Sequence, residues 1–210
     1  MAKSTPRGRG PVVHLDRHRK ALMIEAIVAD HLGMSLRDLD LLDIGSGNGD
    51  ISEYFATRNR VWSVDVVDQR RSPGRAEFDL VDSERLPHDD GSFAVVLSHH
   101  VIEHVSDQPR HLEEIRTVLR PDGVAYLATP KRSSPIMEGH VGNEQVLRWN
   151  AMKPLFESAG FSVAEYGWRV VCEPGTFHAE RRFGRFLPAA VARLLRRFYP
   201  SHMFVLTPRR

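Results

Sequence analysis

The stretch from Leu41 to Ser52, LLDIGSGNGDIS, constrains the fold of this chain more than any other. An apolar run stops at an acidic residue, Asp43, and glycines then occupy positions 45, 47 and 49. Glycine lets a backbone turn sharply and lets a ligand approach it closely, because no Cβ stands in the way. A strand that ends in such a loop and leads into a helix is the first unit of an open α/β sheet, and such sheets bind ligands beyond the carboxyl ends of their strands. The spacing argues against two common ligands. A dinucleotide fingerprint needs G-x-G-x-x-G, and Asp50 stands where its third glycine would be; a P-loop needs G-K-S or G-K-T, and neither follows. Asp43 would repel a pyrophosphate but pair well with an ammonium. The expected ligand is nucleoside-like and locally cationic.

The rest of the chain repeats the same kind of unit. Strand-like runs at 39–44, 61–67, 76–81, 92–98 and 124–130 alternate with helical patterns at 48–58 and 108–119. Ahead of them, residues 17–32 read as an amphipathic helix ended by Gly33. Arg19, Leu22, Ala26 and Ala29 lie on its repeating face, with Ile24, Ile27 and Val28 beside it. A helix over 149–159 ended by Gly160, a strand over 161–168, a helix over 188–199 and a strand over 203–207 follow. Strands alternating with helices predict an α/β fold, a mostly parallel seven-stranded sheet covered on both faces. With 210 residues, 41% of them apolar, there is enough chain for one well-buried core and not comfortably for two. Residues 1–12, rich in Pro, Gly and basic side chains, read as a disordered tail, and 13–210 as a single domain. Within it, 38–130 would bind the ligand and 131–210 would supply the elements facing a second substrate.

Two more carboxylates stand at strand ends. Asp65 closes the second strand twenty residues after Gly45, the offset at which an acid grips ribose hydroxyls, and Asp82 follows the third strand. In order, LLDIGSGNG, VDVVD, DLVDSERLPHDDGSFAVVLSHHVIEHV and LEEIRTVLRPDGVAYLATP resemble the successive motifs of class I S-adenosylmethionine-dependent methyltransferases, specifically the small-molecule type 11 group. The resemblance covers roughly residues 38–165. It implies a Rossmann-like seven-stranded sheet with the last strand antiparallel, and S-adenosyl-L-methionine as cofactor. Asp43 with the loop Gly45, Ser46, Gly47 and Gly49 would hold the methionine part, Asp65 with Val66 the ribose side, and Asp82 with Ser83 the adenine. Ser98 and His99, after the fourth strand, would line the methyl side. Two positions depart from the pattern: Ala94 stands where the family usually has Asp, and Asp122 replaces the first glycine of RPGG, leaving Gly123 for the turn.

A sulfonium methyl is already an activated electrophile, so transfer needs mainly proximity and a water-poor site. A base is required only when the acceptor is a hydroxyl or a protonated nitrogen, and imidazole suits that task near neutral pH. His99 and His100 in SHHVIEHV, and His140 in the loop after the fifth strand, are the catalytic candidates. HVIEHV also resembles the E-x-x-E-H run with which ubiquinone-type O-methyltransferases bind a divalent metal. His100, Glu103 and His104 would then be ligands, although the more economical reading makes Glu103 and His104 structural and assigns no metal. From Thr176 to Arg210 there are eight arginines, no lysine and one acid, Glu180. That part could be a solvated basic face, or could receive an anionic or lipid-linked acceptor or an acidic membrane surface. No N-P-P-Y motif follows the fourth strand and no recognition domain is appended, which argues against nucleic acid as substrate. A lone cysteine, Cys172, and the lack of any long apolar segment point to a cytoplasmic protein. The sequence thus predicts an enzyme that methylates oxygen or nitrogen of a small molecule. The alternative is a non-catalytic binder of the same cofactor, and the oligomeric state stays open.

Overall fold

The computed structural model describes residues 17–70, 72–81, 85–131, 149–166 and 201–209. The elements run α1 (Arg17–Leu32), β1 (Asp40–Ile44), α2 (Asp50–Ala56), β2 (Arg60–Asp65), β3 (Glu77–Leu80), β4 (Phe93–His99), α3 (Gln108–Val118), β5 (Leu119–Pro130), α4 (Trp149–Ser158), β6 (Phe161–Glu165) and β7 (Ser201–Pro208). The strands form one seven-stranded sheet in the order β3-β2-β1-β4-β5-β7-β6. β1 to β5 pair in parallel, while β7 inserts antiparallel between β5 and β6. This is the α/β, Rossmann-like, mostly parallel sheet with an antiparallel last strand that the sequence predicts. The expected tail at 1–12 and helix at 188–199 lie outside the described residues.

Because β1 lies between β2 and β4, the chain winds to one side after β1 and to the other after β4. The cleft between the loops after β1 and β4 is the switch point at which such sheets bind ligands. Both faces of the sheet are buried, so strand side chains divide alternately between two cores. Leu41, Val95, Leu97, Tyr126, Ala128, Met203 and Val205 pack beneath α1 and α2. Leu42, Val96, Ala125, Leu127, Phe204 and Leu206 pack on the other face with Leu112 and Ile115 of α3 and Met152 and Phe156 of α4. α3 begins where Asp107 caps it, its carboxylate accepting the Arg110 N–H at 3.0 Å, with Pro109 in the first turn, where a missing N–H costs nothing.

Two expectations need correction. On α1 the buried residues are Ala21, Ile24, Ile27 and Val28, whereas Leu22, Ala26 and Ala29 are only half-buried and Arg19 is exposed. The β-branched residues, expected beside the packing face, are the packing face, because they supply more apolar area than alanines do. Gly123 does not serve a turn. It lies within β5, where an added Cβ would come within 3.0 Å of the Phe93 and Ala94 carbonyl oxygens. The pairing of β4 with β5 slips between Phe93 and Val95, so Ala94 and Gly123 meet at an irregularity where a side chain on Gly123 would crowd two carbonyl oxygens.

Candidate functional site

The loop after β1 is built of left-handed glycines: φ is +67° at Gly45, +58° at Gly47 and +82° at Gly49. These values strain any other residue. Gly45 donates its N–H to the Val64 carbonyl at 2.8 Å, and a Cβ there would lie 2.4 Å from a Val101 methyl, so the loop is pressed against the segment after β4. Gly47 donates its N–H to Asp65 Oδ2 at 2.7 Å, while Asp65 Oδ1 accepts the Val67 N–H at 3.2 Å. Asp65 therefore organises the loop as well as facing the cleft. Asp43 points to the α2 side and is buried, its carboxylate accepting the Ser52 hydroxyl at 2.6 Å. Burial pushes its pKa up to about 6, against the opposing effects of the Ser52 bond and of Arg17; the nearby Asp65 adds to the rise. Ser46 Oγ is buried with no hydrogen-bond partner.

Alternation along β4 separates two expected neighbours. His99 shares the α1 side with Leu97. Ser98 is wholly buried on the α3 side, its hydroxyl 3.3 Å from His111 Nε2. The expectation that the Ser98 side chain lines the methyl side is therefore corrected: its position on the strand turns the hydroxyl into the opposite core. His99 stacks on Tyr126 at 6.1 Å and tilts against His100 at 4.6 Å. Both its ring nitrogens are shut off from solvent without a hydrogen-bond partner. Burial holds its pKa well below the usual imidazole range, with the charges of His100, Lys20 and Arg17 adding to the effect. His100 takes a left-handed backbone, φ +61°. Its ring bridges two elements, Nε2 lying 2.9 Å from Ser201 Oγ and Nδ1 3.4 Å from Glu103 Oε1. Both nitrogens are thus engaged, which makes His100 a fixed strut rather than an open base. His104 is exposed, and among the described residues no group of three or more His, Cys, Asp or Glu side chains could hold a metal ion. His140, Asp82 and Ser83 lie outside the described residues.

Two residues that the sequence reading left unassigned stand at this site. The Arg17 guanidinium lies 3.0 Å from where a Gly47 Cβ would be, and its charge is felt at Asp43 and His99. Lys20, one turn on, is half-buried, and burial together with Arg17 lowers its pKa. An open hollow of about 390 Å³ lined by Asp40, Arg60, Trp62, His88 and Phe93 lies at the amino ends of the strands. Its buried acid, Asp40, is already matched by Arg60 and Arg120, so it offers none of this chemistry.

Glycine loop, strand-end acids and switch point agree with the motif order, and the comparisons settle the family. Residues 15–193 match the methyltransferase domain family. The chain belongs to the class I S-adenosylmethionine-dependent methyltransferases. It is 29% identical over 164 residues to the ubiquinone biosynthesis O-methyltransferase of Parvibaculum lavamentivorans, covering 69% of this chain and 64% of that protein. It is 32% identical over 149 residues to a Mycolicibacterium smegmatis protein named as an S-adenosylmethionine-dependent methyltransferase, covering 66% and 58%. The matches thus span about three fifths of these relatives' length. In fold it resembles the Haloferax volcanii complex of a methyltransferase with its Trm112 activator, with a TM-score of 0.64 at 18% identity over 93% of this chain and 95% of that one.

The residues present fit the family's methyl donor. A buried carboxylate that titrates near 6 gains from an ammonium beside it. The Ser46 hydroxyl still lacks a partner, and the glycine cradle would be filled by any Cβ. Val66, Val67 and Leu80, three of the four large apolar side chains exposed among the described residues, cluster at the carboxyl ends of β2 and β3, where a flat nucleobase would cover them.

Proposed function

We propose that this methyltransferase-family chain transfers a methyl group from S-adenosyl-L-methionine to oxygen or nitrogen of a small-molecule acceptor. The observation that carries the reading is Asp43, an acid buried at the cost of its own ionisation beside a three-glycine loop. Such a group gains when a cation arrives to pair with it. When bound, the cofactor supplies an electrophilic methyl on a sulfonium. Asp43 receives the amino group of the methionine part, Arg17 its carboxylate, and Asp65 the ribose hydroxyls while holding Gly47. Val66 backs the base, with Asp82 and Ser83 as further contacts. The Gly45–Gly49 loop excludes water on one side of the cleft and the His99–Tyr126 stack on the other. Among the acceptor-side candidates His99, His100 and His140, His99 alone of the two described has both nitrogens unengaged.

The names of the first relatives favour an oxygen acceptor over a nitrogen one. The Arg-rich segment after Thr176 supports an anionic or lipid-linked molecule, with peripheral contact to an acidic membrane as a variant. Among the described residues no helix is long and apolar enough to cross a membrane. The lone cysteine, Cys172, supports a cytoplasmic location. The test is a calorimetric titration with S-adenosylmethionine and S-adenosylhomocysteine, followed by a mass-shift screen of acceptors. Binding of both cofactor forms with a product heavier by one CH₂ supports the enzyme. Tight binding with no methylated product from any acceptor would favour a non-catalytic binder.

A further inference from the structure

The inward stripe of α1 changes character at its start. Ala21, Ile24, Ile27 and Val28 are buried against the sheet, and the same helical spacing carried back one turn falls on Lys20 and Arg17. A stripe that packs apolar side chains along the strands thus ends in two cations at the carboxyl edge, where the site lies. Among the described residues neither makes a hydrogen bond or an ion pair. A half-buried ammonium such as that of Lys20, without a counter-charge, is costly to the fold, and the exposed Arg17 guanidinium nearby adds like-charge repulsion instead of a partner. Next to them His99 keeps two buried ring nitrogens without partners.

Charge complementarity points to what is missing. On one side of the cleft Asp43 and Asp65 stand ready for the ammonium and ribose, and Arg17 lies against Gly47, within reach of the cofactor's own carboxylate. Lys20 is left over. Its positive charge, felt at His99, has no counter-charge among the described residues and would repel a cationic methyl donor unless the second substrate brings a negative charge. We propose that Lys20 anchors an anionic acceptor, a carboxylate or phenolate oxygen, and that the buried imidazole of His99 donates its ring N–H to the same oxygen. This rests on the methyltransferase reading and names its acceptor class.

The chemistry then needs no base. The oxyanion supplies the electron pair of the new O–CH₃ bond, the pair of the broken S–CH₃ bond stays on sulfur, and no proton changes hands. Lys20 takes no part in proton transfer. The product has lost the charge that held it, so the anchor favours its release. The low pKa of His99 supports the assignment, since a neutral ring keeps one donor without adding a third charge beside the sulfonium.

The experiment is calorimetry at neutral pH on the full chain saturated with S-adenosylhomocysteine, with benzoate, a phenolate already ionised at that pH (2,4-dinitrophenolate), and neutral benzamide as probes. Wild type binds benzoate or phenolate and not benzamide. Lys20→Met, which keeps the aliphatic stem, weakens the anion by roughly tenfold or more, the effect of losing a charge-assisted hydrogen bond. Lys20→Arg restores most of it. Affinity for S-adenosylhomocysteine stays near wild type in Lys20→Met and falls in Arg17→Ala, which separates the two cations. The preferred anion is the one expected to gain a methyl in the mass-shift assay. Equal binding of benzamide and benzoate overturns the proposal, as does wild-type anion affinity in Lys20→Met, or no anion binding by the saturated protein. Failure of wild type to bind S-adenosylhomocysteine would instead remove the reading on which the proposal rests.

Discussion

Replacing Asp43 with Asn removes the most deeply buried charge of the site and separates its contribution to folding from its contribution to binding. Burial raises the Asp43 pKa from an ordinary 3.8 to about 6, and at about 1.4 kcal/mol per pH unit the charged carboxylate costs the fold about 3 kcal/mol. The folded-state value is the higher one, so the folded protein holds this proton more tightly than the unfolded chain. The cost is absent below about pH 4, grows as pH rises through the window between 3.8 and about 6, and is complete above it. Asn keeps an oxygen to accept the Ser52 hydroxyl and carries no charge. In urea denaturation of the cofactor-free protein, the variant should be more stable than wild type by about 2–3 kcal/mol at neutral pH, converging with it near pH 4. Cofactor binding should move the other way. Asp43→Asn loses about 1.5–3 kcal/mol of affinity for S-adenosylhomocysteine. Wild-type affinity should fall below about pH 6 by up to tenfold per pH unit, a dependence the variant lacks. A variant that is no more stable at neutral pH and binds the cofactor like wild type would refute the assignment of Asp43 as a strained receptor for a cation.

Further outcomes follow from the same geometry. Asp65→Ala should weaken S-adenosylhomocysteine by about 1.5–3 kcal/mol in calorimetry, because it removes the ribose acceptor and also releases the Gly47 and Val67 N–H groups. Gly47→Val should abolish cofactor binding; with φ at +58° and Arg17 3.0 Å from the new Cβ, it should also lower the denaturation midpoint by an amount equivalent to about 1–2 kcal/mol. Unaltered binding would remove the loop from the site. His100→Ala should act mainly on stability, costing about 1–3 kcal/mol as Ser201 and the buried Glu103 lose their partner, while S-adenosylhomocysteine affinity stays within a few-fold of wild type. A large loss of turnover in a fully folded His100→Ala protein, with cofactor affinity intact, would restore His100 as the base.

What the sequence determined by itself is local and periodic. Three glycines at 45, 47 and 49 demand backbone angles that other residues resist, and alternating strand and helix patterns dictate a layered α/β sheet, so the fold and the sharp turn after β1 were legible before any coordinates. Asp43 and Asp65 were legible for the same reason, since a strand's end fixes where its last side chain stands. Tertiary structure decided what depends on phase and on distant partners. Whether Ser98 or His99 faces the cleft turns on a one-residue alternation that the wholly apolar surroundings of β4 do not reveal, because both faces of that strand are buried. His100 became a strut only because Ser201, a hundred and one residues away, arrives on β7 to meet it. The placement of Arg17 and Lys20 was hidden by a helix whose face could be drawn through the alanines or through the isoleucines. Packing against the sheet chose the isoleucines, which bury more apolar area, and the same rotation left Lys20 half-buried and set Arg17 beside Gly47.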